Sequence, residues 1–416
     1  MYTLFLFSHV SKNCPLFSVP THGYQGTRFM TAFIGNSTLT PYLYTIAHVR
    51  TTITIEIPSE NFNETSTISP GTSIRTFSQN LGTYSSRISN KAVYVTTNNP
   101  VYFYTANTQY AAADATYVLP EPALGKEYQI IGHDSTTTGT EMFVVVSTAS
   151  NTQVTVTLPS GASETVTLGL FETYIRNEAM LTGSFVTATE NVAVISGHPC
   201  ASIPKSDGDI CQYIEEMLPP IQSYGTVFVL TYMRPRPHFI VGIVAAVDGT
   251  VVNIYKDTGT PNETITMSRG EYVKRSYINS NVQSLVSTEG ILVVEYGVNG
   301  NDDSGDGGAS MMLIPAIQNY AHEYSFEVFT GYGTSWLTLV IKDGTQSSVL
   351  LDNSAPTITS TFTVQVPGSG AYVVLYIDIS SGNHKLTHAQ NETFGAWLYA
   401  RDSSLREYAM CLGLMT

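Results

Sequence analysis

Apolar and polar residues alternate with a period of two through much of the chain. Val154, Val156 and Leu158 alternate with Thr155 and Thr157, and TTITIEI from Thr51 and TVVNIY from Thr250 follow the same rule. A strand with one buried face has this pattern. Val144 to Val146 is a short continuous apolar run of the kind buried on both faces, and the stretches 165–170, 173–176, 185–189 and 192–195 follow after turn residues. Six or seven short strands between turns predict a β-sandwich. Helical periodicity is scarce. One or two helical turns are expected over residues 211–218, where Pro219 would stop them.

The same order of strands recurs. Gly26, Gly125 and Gly225 open GTRFMTAF, GKEYQIIG and GTVFVLTY, at spacings of 99 and 100. Thr52, Thr152 and Thr250 sit in alternating runs, Gly71, Gly169 and Gly270 mark turns, and Pro120, Pro219 and Pro315 end VLP, MLP and LIP. Four landmarks in one order define a repeat of about 100 residues. A propeller blade needs only about 45 residues. The expected fold is therefore all-β, with tandem β-sandwich repeats, three clear and one degenerate; a β-propeller-like arrangement is the alternative. The expected division is an N-terminal segment 1–22, repeats at 23–124, 125–224 and 225–322, and a degenerate copy at 323–416.

Composition supports β structure. Thr and Ser make up about a fifth of the chain, Tyr numbers 26, and charged residues are 12%, and Thr, Tyr and Val suit pleated surfaces. A net charge of −14 repels phosphate backbones and argues against nucleic acid as a partner. No stretch reaches the ~20 apolar residues of a membrane helix, so no membrane insertion is expected. The apolar run from Tyr2 to Phe7 is short, with no basic residue before it; a weak signal peptide and an N-terminal strand account for it equally.

Candidate chemistry concentrates in few places. Cys200 and Cys211 lie in GHPCASIPKSDGDIC, where a disulfide would contribute about 3 kcal/mol in the chain-entropy treatment. Cys14 and Cys411 flank the folded region and are a second candidate pair. His198, Cys200 and Cys211, with Asp207 or Asp209, would also make a zinc set, although the disulfide needs only the cysteines. Asp302, Asp303 and Asp306 in NGNDDSGDGG are candidate Ca²⁺ ligands. Asn36, Asn63, Asn262 and Asn391 head N-x-S/T sequons. Arg234 and Arg236 in MRPRPH form the one locally basic patch and could meet an acidic glycan; with His198, Asp207 and Asp209 they are the candidate ligand contacts. Glu215 and Glu216 are adjacent, a poor acid–base pair on a helix, and read as exposed charge. No G-x-S-x-G, H-E-x-x-H or P-loop occurs. The loops before Pro120, Pro219 and Pro315 occupy equivalent places and differ most between copies, as recognition loops on a repeated scaffold do.

The blocks LPEPALGKEYQII, VTATENVAVISGHPCASIP, CQYIEEMLPPIQSYGTVFV and MMLIPAIQNYAHEYSF resemble the N-terminal domain of the IgG Fc-binding protein family, over about residues 23 to 414. The SGHPC…C…E-x-M-L-P-P-I block is the most specific part. In that family the domain precedes von Willebrand D-type modules in secreted, mucus-associated proteins; those modules and their G-D-P-H motif are absent from this sequence. The resemblance implies an extracellular, non-enzymatic protein for adhesion or scaffolding, with a glycoprotein, mucin or glycan as partner and no cofactor unless Ca²⁺. The alternatives are a carbohydrate-active enzyme, which requires two facing carboxylates about 5 to 9 Å apart in a cleft, and a Ca²⁺-dependent adhesin.

Overall fold

The computed structural model describes residues 25–35, 38–84, 87–109, 112–133, 140–204, 212–256, 259–278, 283–299, 308–402 and 406–415. The first unit contains β1 (Gly26–Thr31), β2 (Thr40–Ala47), β3 (Thr51–Ile57), β4 (Phe62–Ile68), β5 (Gly71–Thr76), β7 (Val93–Gln109) and β8 (Ala112–Tyr117), and the short β6 (Ile88–Ser89) within this stretch joins the sheet of the next unit. The second contains β9 (Gly125–Gln129), β10 (Glu141–Ser147), β11 (Thr152–Thr157), β12 (Ser163–Leu168), β13 (Thr173–Glu178), β14 (Phe185–Ala201) and β15 (Gln212–Met217). The third contains β16 (Gly225–Leu230), β17 (His238–Ala245), β18 (Thr250–Tyr255), β19 (Glu263–Met267), β20 (Tyr272–Ile278), β21 (Gln283–Gly297) and β22 (Ser310–Leu313). The fourth contains β23 (Glu323–Val328), β24 (Thr334–Lys342), β25 (Val349–Leu351), β26 (Ile358–Val366), β27 (Gly370–Asp378), β28 (Gly382–His388), β29 (Gly395–Arg401) and β30 (Glu407–Cys411). The protein is all-β, and among the described residues no helix is long and apolar enough to cross a membrane.

Each of the first three units is two layers joined by one long strand. In the first, residues 93–97 of β7 pair with β1 and β3, and residues 101–109 pair with β2 and β8. The register slips at the bend between the two halves, and β14 and β21 slip at the matching place; such bulges bend and twist a strand. The two apolar segments expected at 185–189 and 192–195 are thus one continuous strand, β14. Phe29 of one layer stacks on Phe103 of the other with ring centroids 5.0 Å apart. In the fourth unit the long strand is broken. β28 pairs with β23 and β25, while β29 pairs with β24 and β30, so two sheets replace one.

The recurring landmarks have local causes. A Cβ at Gly26 would lie 2.4 Å from Pro120 Cβ, one at Gly125 2.5 Å from Pro220 Cβ, and one at Gly225 2.2 Å from Ala316 Cβ. Each glycine therefore lets its strand close against the turn that ends the same unit. We expect Gly225→Ala to destabilise the fold by about 1–3 kcal/mol through overpacking, read as a lower urea midpoint; an unchanged midpoint would show that the turn yields freely. The threonine landmark is one place out in the first copy. Thr51, not Thr52, is equivalent to Thr152 and Thr250: the three hydroxyls donate to Val49, Ala149 and Val247 carbonyls at 2.8, 2.9 and 2.6 Å, closing the turn before β3, β11 and β18.

A further repeated pair was not read from the sequence. Arg75 meets Glu64, Arg176 meets Glu164 and Arg275 meets Glu263, tying the edge strands β4, β12 and β19 to β5, β13 and β20 across the open side of each sandwich. These pairs are partly exposed, so each is worth at most about 1 kcal/mol.

The four units close into a ring. β8 packs against β15 and β30, and β22 packs against the same two strands. These four inner strands hold equivalent places, since Val118, Leu218, Ile314 and Leu412 each donate to the neighbouring long strand or its counterpart, at Phe103, Val194, Val293 and Ala396. The last unit meets the first without sharing a strand. Tyr44 stacks on Phe329 at 4.2 Å, Thr72 Oγ1 donates to Glu327 Oε2 at 2.6 Å, and the Tyr104 hydroxyl lies 2.8 Å from Ser325 O and 3.1 Å from Leu412 O. Sandwich units thus take up a propeller-like circular order. β8, β15, β22 and β30 run side by side and begin at one end of the ring. Both termini of the described chain lie at the other end: Gly26 abuts Pro120, and Met415 N donates to Asn319 O at 2.8 Å.

Candidate functional site

The inner strands present their unpaired edges to one another, so their backbone N–H groups need acceptors other than a sheet neighbour. Side chains supply them. Asp114 Oδ1 accepts from Ala115 N at 3.0 Å and Ala409 N at 3.4 Å, and Oδ2 accepts from Glu215 N at 3.1 Å and Met311 N at 3.2 Å. These are the equivalent N–H groups of β8, β30, β15 and β22, so one fully buried carboxyl links all four units. The matching residues in the other copies are Ile214, Ser310 and Tyr408. One level along, Glu216 Oε1 accepts from Leu313 N at 2.9 Å, Oε2 lies 2.6 Å from Thr116 Oγ1, and Thr116 Oγ1 accepts from Met217 N at 2.9 Å.

Burial raises these carboxyls. Glu215 and Glu216 are pushed up to about 8 by desolvation, against hydrogen bonds that lower them. Asp114 is raised by desolvation and by Glu216 nearby, while the backbone donors pull the other way. The expected helix over 211–218 is corrected where it is described: Gln212–Met217 is strand β15, and Glu215 and Glu216 are buried rather than exposed. Pairing with β14 on one edge and the ring on the other overrides the local Glu-rich pattern. Among the described residues, Asp114 and Glu216 are engaged by backbone amides and a hydroxyl inside the core.

Arg236 is a second correction. It is fully buried, not a surface glycan contact. Its Nη2 donates to Glu407 Oε2 at 2.7 Å, its Nε to the Tyr399 hydroxyl at 2.6 Å, and its Nη1 to Val298 O. Glu407 also accepts from Ser310 Oγ at 2.8 Å and Tyr399 at 2.9 Å. This network bolts β30 to the base of the third hairpin. Arg234 is partly exposed and donates to Ser360 Oγ at 3.2 Å. His198 is in β14, fully buried; burial lowers it to about 4, and its Nδ1 accepts from Cys200 N at 2.9 Å.

Cys411 is a free, buried thiol that donates to Gly413 O at 3.1 Å, which removes the Cys14–Cys411 pair. Cys200 is disulfide-bonded; its partner is not among the described residues. Cys14, Cys211, Asp207, Asp209, Asp302, Asp303, Asp306 and Asn36 all lie outside the described residues. Asn63, Asn262 and Asn391 are exposed.

The loop end remains the place where the copies differ. The hairpins leave from Gln109, Ala201, Gly297 and Arg401 and return at Ala112, Gln212, Ser310 and Glu407. Asn299 N donates to Ile203 O at 2.7 Å, holding the bases of the second and third hairpins together. A groove of about 600 Å³ lies elsewhere, between the second and third units, where Arg269 stands 3.7 Å over the Phe185 ring.

A family model described as IgGFc binding protein matches residues 114–400. The curated IgGFc-binding protein of Homo sapiens is 26% identical over 400 residues, an alignment covering 88% of this chain and 7% of that protein. The chain therefore spans a small fraction of the length of the relative it matches. Among solved structures, a variant of the major pilin from Streptococcus pyogenes is 9% identical with a TM-score of 0.16, covering 92% of this chain and 97% of its own. The BSP domain of a biofilm associated protein is 8% identical with a TM-score of 0.14, covering 94% and 96%. At such scores neither carries an argument.

Proposed function

Because the chain belongs to the IgGFc binding protein family, we propose that it is an extracellular, non-enzymatic binding module that takes a glycoprotein, mucin or glycan on the four hairpin loops at one end of its ring. The observation that supports this reading is the convergence around one axis of the four strands that follow non-identical connecting sequences, on a scaffold whose other recurring features serve folding. In this reading Cys200 pairs with Cys211 and staples the second loop. Asp302, Asp303 and Asp306 of the third loop are the candidate Ca²⁺ ligands.

The test is an array of glycans, mucins and serum glycoproteins, with an IgG Fc fragment among the probes because the relative is named for it. The intact chain and variants in which residues 205–210 or 300–307 are replaced by Gly/Ser linkers are compared. We expect loss of binding of tenfold or more in at least one loop variant with an unchanged melting temperature. Equal binding by both variants would overturn the assignment of the surface. Repeating the measurement in chelator tests the Ca²⁺ sites, and mass spectrometry of Asn63, Asn262 and Asn391 from secreted material tests the extracellular location.

A further inference from the structure

The two axial carboxyls have different hydrogen-bond inventories. Asp114 receives four backbone N–H groups and, among the described residues, meets no acceptor that could take a proton from it. Desolvation and Glu216 push its pKa up, but with both oxygens already occupied by N–H donors the geometry is that of an ionised, acceptor-only carboxylate, and we give the four donors precedence. Glu216 receives one N–H, from Leu313. Its other oxygen faces the Thr116 hydroxyl, which has a second acceptor of its own, the Tyr117 carbonyl at 3.3 Å. The hydroxyl is therefore able to receive a proton bond from Glu216 while giving its own away.

We propose that Asp114 and Glu216 form a one-charge pair at the ring axis, Asp114 ionised and Glu216 protonated, and that loss of the Glu216 proton loosens the contact between β8, β15 and β22. Two like charges on one buried axis repel strongly, and no described cation faces them: Arg236 is committed to Glu407. The titratable groups that face Glu216 are Asp114 from β8, Glu215 from its own strand and Cys411 from β30; β22, Ser310–Leu313, brings none.

The sign follows from linkage. Glu216 holds its proton in the folded chain up to about 8, against 4.5 for an ordinary glutamate. Its contribution is complete below the lower value and is lost as pH rises through the higher one. His198 works in the opposite sense between about 4 and 6.5, so the window is set above 6.5; Glu215, also raised to about 8, titrates there in both chains, and the comparison with the Glu216 variant isolates Glu216. The experiment is urea unfolding of the full chain between pH 6.5 and 8 for the native sequence and Glu216→Gln. The native folding constant is expected to fall with pH. Glu216→Gln, which keeps an acceptor for Leu313 N and has no proton to lose, is expected to make that fall shallower by close to tenfold per pH unit, one proton's worth. Glu216→Met gives the same reading should the glutamine variant not fold. A pH dependence identical to the native chain's in either variant would overturn the proposal.

Discussion

Asp114→Ala is expected to prevent accumulation of the folded ring at 37 °C. The substitution removes the acceptor of four buried N–H groups at once. Each orphaned donor costs about 1–3 kcal/mol, and the total approaches the 5–15 kcal/mol by which native domains are stable. Asp114→Asn offers one oxygen and an NH₂ group that faces N–H donors, so it is expected to fold only at low temperature, with a melting point well below the native one. Amide hydrogen exchange locates the effect. In the asparagine variant, Ala115, Glu215, Met311 and Ala409 should lose protection together although they lie in four different units. Loss confined to Ala115 would mean that the units do not share this carboxyl.

The second large effect is expected at Arg236. Its guanidinium and the Glu407 carboxylate are both fully buried, and breaking such a pair leaves an uncompensated charge that costs about 3–5 kcal/mol. Arg236→Met should therefore lower stability by about that amount, measured by denaturant unfolding. The double variant Arg236→Met with Glu407→Leu should recover more than half of the loss, because well-packed apolar replacements of buried ion pairs are often neutral. If the double variant is no better than the single one, the bonds to Val298 and Tyr399 carry the stabilisation, not the ion pair. Loss of Arg236 also frees the base of the third hairpin, so the two kinds of damage reach the loop end by different routes.

The repeat, the strands and the hairpins before each proline were legible because they depend on short-range pattern, and pattern survives comparison of one copy with the next. Closure into a ring was not legible. It rests on positions where the copies differ, Asp114 against Ile214, Ser310 and Tyr408, and aligning the copies averages such positions away. The strand Gln212–Met217 looked helical and exposed because two adjacent glutamates suit a solvated surface; only the other three inner strands explain why both are buried. MRPRPH looked like a basic patch for the same reason: local sequence does not tell that Glu407, more than 170 positions away, neutralises Arg236. Two features of the sequence do carry this information. One is the lone acid in the apolar run AADATYVLP, since a charged residue among buried types is informative. The other is the Glu–Arg pair that recurs in every clear copy.

The position of the two termini has a bearing on how such a unit serves inside a longer polypeptide. Entry at Gly26 and exit at Met415 share the end of the ring opposite the hairpins. A chain threaded through this unit enters and leaves by one door, so the unit stands off the main line like a side-mounted lamp. The strand ends at which β8, β15, β22 and β30 begin then lie on the side away from whatever it is joined to. Copies of it added to a thread would lengthen the thread little while multiplying the faces displayed.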